Sequence, residues 1–199
     1  SLIVSGTTST VTAGTSNYIA GVNAGNSIAS GGNYNVTVGD EAGTALTTGD
    51  NNVAVGFNSL DALTTADNNT AVGSSALGAN TTGTNNVAVG YTALVACTTG
   101  GHNEAFGAAA LDANTTGNNN CAIGYNALTA NTTADQNTAV GNSSMVANTT
   151  GTNNVAVGMN ALNANTTASN NVAMGINALL LNTTGAQNVA VGAYALDAN

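Results

Sequence analysis

From Tyr34 onward, the same order of apolar and polar positions recurs at every seventeenth residue, with no insertion. The clearest copies are Asn52–Gly56, Asn86–Gly90, Asn154–Gly158 and Asn188–Gly192, each reading Asn-Val-Ala-Val-Gly. With Asn51 as position 1, position 2 is Asn throughout: Asn35, Asn52, Asn69, Asn86, Asn103, Asn120, Asn137, Asn154, Asn171 and Asn188. Position 6 is always glycine: Gly39, Gly56, Gly73, Gly90, Gly107, Gly124, Gly141, Gly158, Gly175 and Gly192. Position 4 is Ala except for Thr37, position 5 is always apolar, and position 10 is Leu or Met except for Gly43. Positions 14 and 15 are Thr-Thr, and position 16 is Gly or Ala. A fixed period of this length marks a repeat architecture, in which one unit is too small to bury a core and stacked units share one.

The columns predict elements. A short β-branched run between Asn and Gly reads as a strand. Glycine at position 6 suits a corner that needs positive φ or a close backbone approach. Thr-Thr-Gly before Asn reads as a second corner. Positions 9–12, Ala-Leu-x-Ala, fit either a second strand with Leu inward or one helical turn, because Ala and Leu favour helix and the stretch is too short for periodicity to decide. Identical Asn side chains stacked turn on turn can bond as an amide ladder. Pairing each strand with its successor at about 4.8 Å gives an all-β parallel solenoid whose nine steps from Gly39 to Gly192 span about 43 Å. The expected interior columns are Val at position 5 and Leu at position 10. The strand is apolar on both faces, and such strands are usually covered on both. A second copy of the same chain is the economical cover, most simply around a threefold axis.

The expected organisation is an irregular N-terminal cap or junction over residues 1–33, followed by a regular solenoid of ten repeats over 34–199, the last incomplete. Asn17–Gly21 and Asn26–Gly31 read as shortened relatives of the unit, as terminal repeats often are. The chain stops partway through a repeat, which suggests a segment of something longer.

Composition narrows the function. The chain has no Lys, Arg, Pro or Trp, only nine acids, and 5% charged residues where about 25% is usual. Nucleic-acid binding rests on Lys and Arg against phosphates, so it is not expected; binding to anionic membranes is disfavoured on the same ground. No apolar run approaches the roughly 20 residues of a membrane span, so no membrane insertion is expected in this segment. Cys97 and Cys121 fall at different repeat positions and read as free thiols rather than a disulfide.

The motif Asn-x-Val-Ala-Val/Ile-Gly resembles the head repeat of trimeric autotransporter adhesins. The match covers residues 34–199. The adhesin unit is about three residues shorter, and the longer segment ending Ala-Asn-Thr-Thr-Gly, as at Ala110–Gly117, looks more like repeats of phage tail-fibre-like and other bacterial surface proteins. The resemblance implies a left-handed parallel β-roll, intertwined or packed as a homotrimer. It further implies a non-enzymatic fibre or adhesin on a bacterial surface or a virion appendage, extracellular, with a host-surface glycan or protein receptor as partner.

Nothing along the chain points to catalysis or a cofactor. His102 stands alone, without a nucleophile motif. Glu104 at position 3 reads as a tolerated exposed acid; the sharper reading is three Glu104 copies meeting on a threefold axis, with His102 near, to hold a cation or a proton. The remaining acids are scattered, with no calcium-loop spacing. Position 7 carries large side chains on every second turn, Phe57, Tyr91, Tyr125 and Met159, with Ser74, Ala108, Asn142 and Ile176 between. They are either packing or a row available to stack on glycans or a receptor; Phe57, Tyr91, Tyr125 and Tyr194 are the candidate surface contacts. The alternative function is ice binding through a flat face made by Asn at position 13 and Thr at position 15. Triplets such as Asn80-Thr81-Thr82 are also formal glycosylation acceptors.

Overall fold

The computed structural model describes residues 14–198. Residues 1–13, part of the N-terminal segment expected as a cap, lie outside the described residues, as does Asn199. The described chain carries eleven three-residue strands and no helix. These are β1 (Tyr18–Ala20), β2 (Val36–Val38), β3 (Val53–Val55), β4 (Thr70–Val72), β5 (Val87–Val89), β6 (Glu104–Phe106), β7 (Cys121–Ile123), β8 (Thr138–Val140), β9 (Val155–Val157), β10 (Val172–Met174) and β11 (Val189–Val191). They form one parallel sheet in sequence order. From β2 onward each strand residue pairs with the residue one repeat further on, as Val53 with Thr70. The first coil is one residue longer, so that Tyr18 of β1 pairs with Val36 of β2. The fold is a parallel β-solenoid, and its repeat period is its coil length. Asn26–Gly31, expected as a second relative of the unit, forms no strand and lies in the return path of that first coil.

The interior corrects one expectation. Side chains alternate across a strand, so positions 3 and 5 share one face and position 4 takes the other. Ala54, Ala71, Ala88, Ala105, Ala122 and their equivalents are buried, whereas the position-3 and position-5 side chains of β2 to β10 are half-buried or exposed. Val at position 5 therefore faces outward. The interior beside the strand has room only for a methyl group, because Leu at position 10 fills the space across the turn. Leu60, Leu77, Leu94, Leu111, Leu128, Met145, Leu162 and Leu179 are all fully buried. The first regular coil confirms the complementarity by exception. It has Thr37 at position 4 and Gly43 at position 10, and a Cβ added at Gly43 would lie 2.9 Å from Thr37 Cγ2. Leu46 at position 13 supplies the bulk that Gly43 lacks.

Positions 9–12 are neither strand nor helical turn. The chain makes a compact turn with positions 8 and 10 in the left-handed region, as at Asn58 (φ 54°) and Leu60 (φ 49°). Position 1 is left-handed too, as at Asn51 (φ 58°). These conformations turn backbone groups along the axis. Leu60 N–H donates to Ala76 O at 3.1 Å, Ala62 N–H to Gly78 O at 3.1 Å, and Thr81 N–H to Thr98 O at 2.9 Å. Bonding from coil to coil thus runs around most of the perimeter, not only through the sheet.

Left-handed φ costs a residue with a Cβ about 1–2 kcal/mol, and Asn tolerates it best. That explains Asn at most of position 1 and much of position 8. Thr92, β-branched at φ 53°, is the least suited member of the position-8 column. Thr92→Asn is expected to stabilise the fold by about 1 kcal/mol, read as a raised midpoint in thermal unfolding; a lowered midpoint would contradict this account of the turn.

Candidate functional site

Two amide ladders run inside the coil. At position 2, Asn120 N–H and Nδ2 both donate to Asn103 Oδ1 (3.1 and 3.2 Å), and Nδ2 also reaches Ala134 O at 2.8 Å in its own turn. Asn137 N–H in turn donates to Asn120 Oδ1 at 3.0 Å. The second ladder is at position 13. Asn131 Nδ2 donates to Asn114 Oδ1 (3.0 Å), Asn148 to Asn131 (3.1 Å) and Asn165 to Asn148 (2.9 Å). Each also holds the carbonyl three residues on, as Asn131 holds Ala134. The ice-binding alternative needs position 13 on a flat outer face with Thr at position 15. Its side chains are instead buried, because an amide turned inward satisfies the corner carbonyl that would otherwise be stranded. Asn80, the formal glycosylation acceptor, is among them.

Thr at position 14 forms a third column. Its hydroxyl donates to the carbonyl of the next Thr, as Thr98 to Thr115 O (3.1 Å) and Thr115 to Thr132 O (3.0 Å). Thr at position 15, from Thr48 to Thr184, is exposed, and so is position 1. The outer surface therefore has one Thr column and one mostly Asn column, separated by the corner.

Three further acids have structural partners. Asp50, Asp67 and Asp135 at position 17 accept the backbone N–H of the preceding coil, from Asn33 (2.7 Å), Asp50 (2.8 Å) and Asn118 (2.6 Å). Asp112 is held above the usual carboxylate range by partial burial, opposed by the backbone N–H of Ala113. His102 is exposed at position 1, and Glu104 is exposed on the outer sheet face between Val87 and Cys121. Among the described residues, no three His, Cys, Asp or Glu side chains gather as a metal site.

The thiols are free and differ in setting. Cys97 takes the place of a ladder Asn, donating to Gly100 O at 3.4 Å. Burial pushes it up to about 11. Cys121 lies on the outer face; partial burial and the Glu104 carboxylate beside it both raise its pKa. A thiol reagent at pH 8 is expected to modify Cys121 slowly wherever the outer sheet face is uncovered, and to reach Cys97 only on unfolding. Two equally fast reactions would be inconsistent with the buried placement.

Two surfaces remain. The outer sheet face carries the position-3 and position-5 side chains in two parallel rows, and among the described residues no other element of the chain covers it. It includes Phe106, Ile123 and Met174, more than 40% exposed, where the sequence pattern places them inside. The second surface is position 7, just past the glycine corner. Phe57, Tyr91 and Tyr125 stand in that one column with Met159, each exposed. Tyr194 is exposed but belongs to position 8, one column aside, in the last coil. No protein-family model, curated protein or solved structure matches this chain.

Proposed function

We propose that this chain is a non-enzymatic fibre segment of an extracellular appendage, on a bacterial surface or a virion, that assembles as a homotrimer and holds recognition surfaces away from the body that bears it. One observation carries the reading: the outer sheet face. Its two apolar rows continue from β2 to β11 with few polar interruptions, Thr70, Glu104 and Thr138 among them. Isolated surface apolar residues need no explanation, but a continuous patch marks an interaction site. A repeating surface is best matched by the same repeat, since the coil spacing of two copies then agrees along the whole length. The short residues at position 3 allow close approach of neighbouring sheets, and the absence of cations leaves nothing to hold an acidic partner. No cofactor is assigned.

The mass in solution tests this, by sedimentation or light scattering. Three chains are expected, with Val89→Asp and Val157→Asp together shifting the protein to smaller species. A wild-type monomer would end the reading. Ice binding is the second reading, favoured by the exposed Thr column with its regular spacing of about 4.8 Å. That column is one residue wide without the Asn companion expected at position 13. Thermal hysteresis in a monomeric sample would favour it over the fibre.

A further inference from the structure

We propose that the position-7 column is a binding track for a neutral, extended β-linked polysaccharide lying parallel to the solenoid axis. This deepens the recognition part of the fibre reading by naming its ligand class, and it does not require the trimer.

The first support is exposure. Phe57 is 54% exposed, Tyr91 65%, Tyr125 56% and Met159 46%. Side chains placed to pack within their own column would lose most of that surface. The residues between them are smaller: Ser74 and Ala108 are half-buried and Asn142 is exposed.

The second support is spacing. From Phe57 to Met159 successive large side chains are separated by two coils, or about 9.6 Å along the axis, before Ile176 breaks the alternation. In a β-1,4-linked chain each sugar is flipped relative to the last, so one apolar pyranose face recurs once per disaccharide. That step is close to two coils. From Phe57 to Tyr125 the rigid column can thus offer one flat side chain per disaccharide, whereas a globular receptor would have no reason to match a two-coil period. Aromatic side chains combine a large apolar face with low conformational freedom, which suits stacking on a sugar ring.

The third support is charge and polarity. Between Phe57 and Met159 the columns at positions 7 and 8 carry no charged residue. Asn58, Ser75, Thr92, Asn126, Ser143 and Asn160 lie beside the rings, half-buried. They border the rings with amides and hydroxyls, the groups that pair with sugar hydroxyls. The chain has no cation and a net charge of −9, so an acidic polysaccharide would be repelled.

Co-sedimentation of the whole chain with insoluble cellulose and with chitin tests the proposal, followed by titration with soluble β-1,4 oligosaccharides of two to eight sugars. Retention on at least one polymer is expected, with affinity rising as the oligosaccharide grows long enough to bridge two rings. Tyr91→Ala and Tyr125→Ala should each weaken binding about fivefold, the effect of losing one stacked ring. The decisive variant moves a ring rather than removing it. Tyr125→Ala combined with Ala108→Tyr keeps the number of aromatics but destroys the two-coil spacing, and should weaken binding as much as Tyr125→Ala alone. Circular dichroism establishes that each variant is folded; should the double variant fail that check, Tyr125→Asn with the length dependence decides in its place. No retention on either polymer overturns the proposal, as does a moved ring that binds like the wild type. Ring variants that alter the mass in solution without altering retention overturn it too, since they would make the column a contact between copies. A monomer that binds the polymer ends the trimer and leaves this inference standing; a trimer that does not bind ends this inference alone.

Discussion

Gly141→Ala is expected to lower the stability of the solenoid by about 4 kcal/mol, the sum of backbone strain and overpacking. Gly141 has φ 137°, a region that only glycine occupies without strain. Its corner also stacks directly on the next: an added Cβ would lie 2.6 Å from both the carbonyl carbon and oxygen of Gly158, and 3.1 Å from Met159 N. Those are backbone atoms, so no side chain can rotate away. The corner would have to open, stretching the bond from Gly158 N–H to Val140 O, now 2.7 Å. Because each coil touches only its neighbours, the damage should be local at first and weaken the junction between β8 and β9 before the rest. Thermal unfolding by circular dichroism should show a midpoint roughly 10 °C lower. Ala108→Ser, on the exposed column beside another corner, is the control and should leave the midpoint within a degree or two. A Gly141→Ala protein that melts like the wild type would refute the corner assignment.

The corner and the strand it ends differ in how legible they are in the sequence. The constant interval between glycines specifies parallel pairing and register at once, because a coil of constant length can only stack each position on itself. The corner at position 6 follows from Gly alone. The sidedness of the strand does not. Val-Ala-Val is apolar on both faces, so the period-2 rule names two possible interiors without choosing. The choice rests on size: Leu94 and its column already fill the lumen opposite, which leaves space for Ala88 and not for Val89. The turn at positions 8–10 is illegible for another reason. Leu is a helix former by propensity, and nothing in its chemistry announces a left-handed backbone; Gly43, the one glycine in that column, is the only hint. The inward Asn at position 13 is hidden because exposed corners and buried corner caps use the same residue. Leu46 and Leu63 at that position in the first two regular coils are the available signal, since two leucines would not be spent on a solvated column.

Those misplacements share a cause with consequences for function. Outward valines convert the sheet from the inside wall of a coil into an outward apolar surface. The question becomes what meets β2 to β11, rather than what fills them. The amide columns meanwhile take over the task of joining coils where the interior is too narrow for a conventional apolar core. Ala and Leu supply the burial, while Asn at positions 2 and 13 satisfies the backbone groups that the corners turn inward.

That division makes the position-2 ladder the most demanding part of the structure, and Asn120 tests it. Asn120→Ala removes the acceptor of Asn137 N–H and should cost about 2 kcal/mol, the penalty for a buried unpaired donor. Asn120→Asp is nearly isosteric and keeps that acceptor, so a ladder held together only by shape would tolerate it. A hydrogen-bonded ladder would not. The new oxygen would face Asn103 Oδ1 and Ala134 O, both acceptors, where Nδ2 now donates. The carboxylate would also be buried without a cation, in a chain that has none. A cost of about 4 kcal/mol at pH 7 is expected, more than for Ala. The pH dependence identifies the cause. Burial raises the folded-state pKa of such a carboxyl above its unfolded value of about 3.9. Below that value the group is protonated in both states, and its O–H can donate to Ala134 O much as the amide does. As pH rises through 4 the unfolded chain releases the proton first, and stability falls until the folded-state pKa is passed. The Asp variant should therefore approach wild-type stability at pH 3.5 and lose it progressively toward neutrality, each measured against the wild type at the same pH. A deficit independent of pH, or an Asp variant more stable than the Ala variant at pH 7, would show that the column is joined by packing rather than by directed amide bonds.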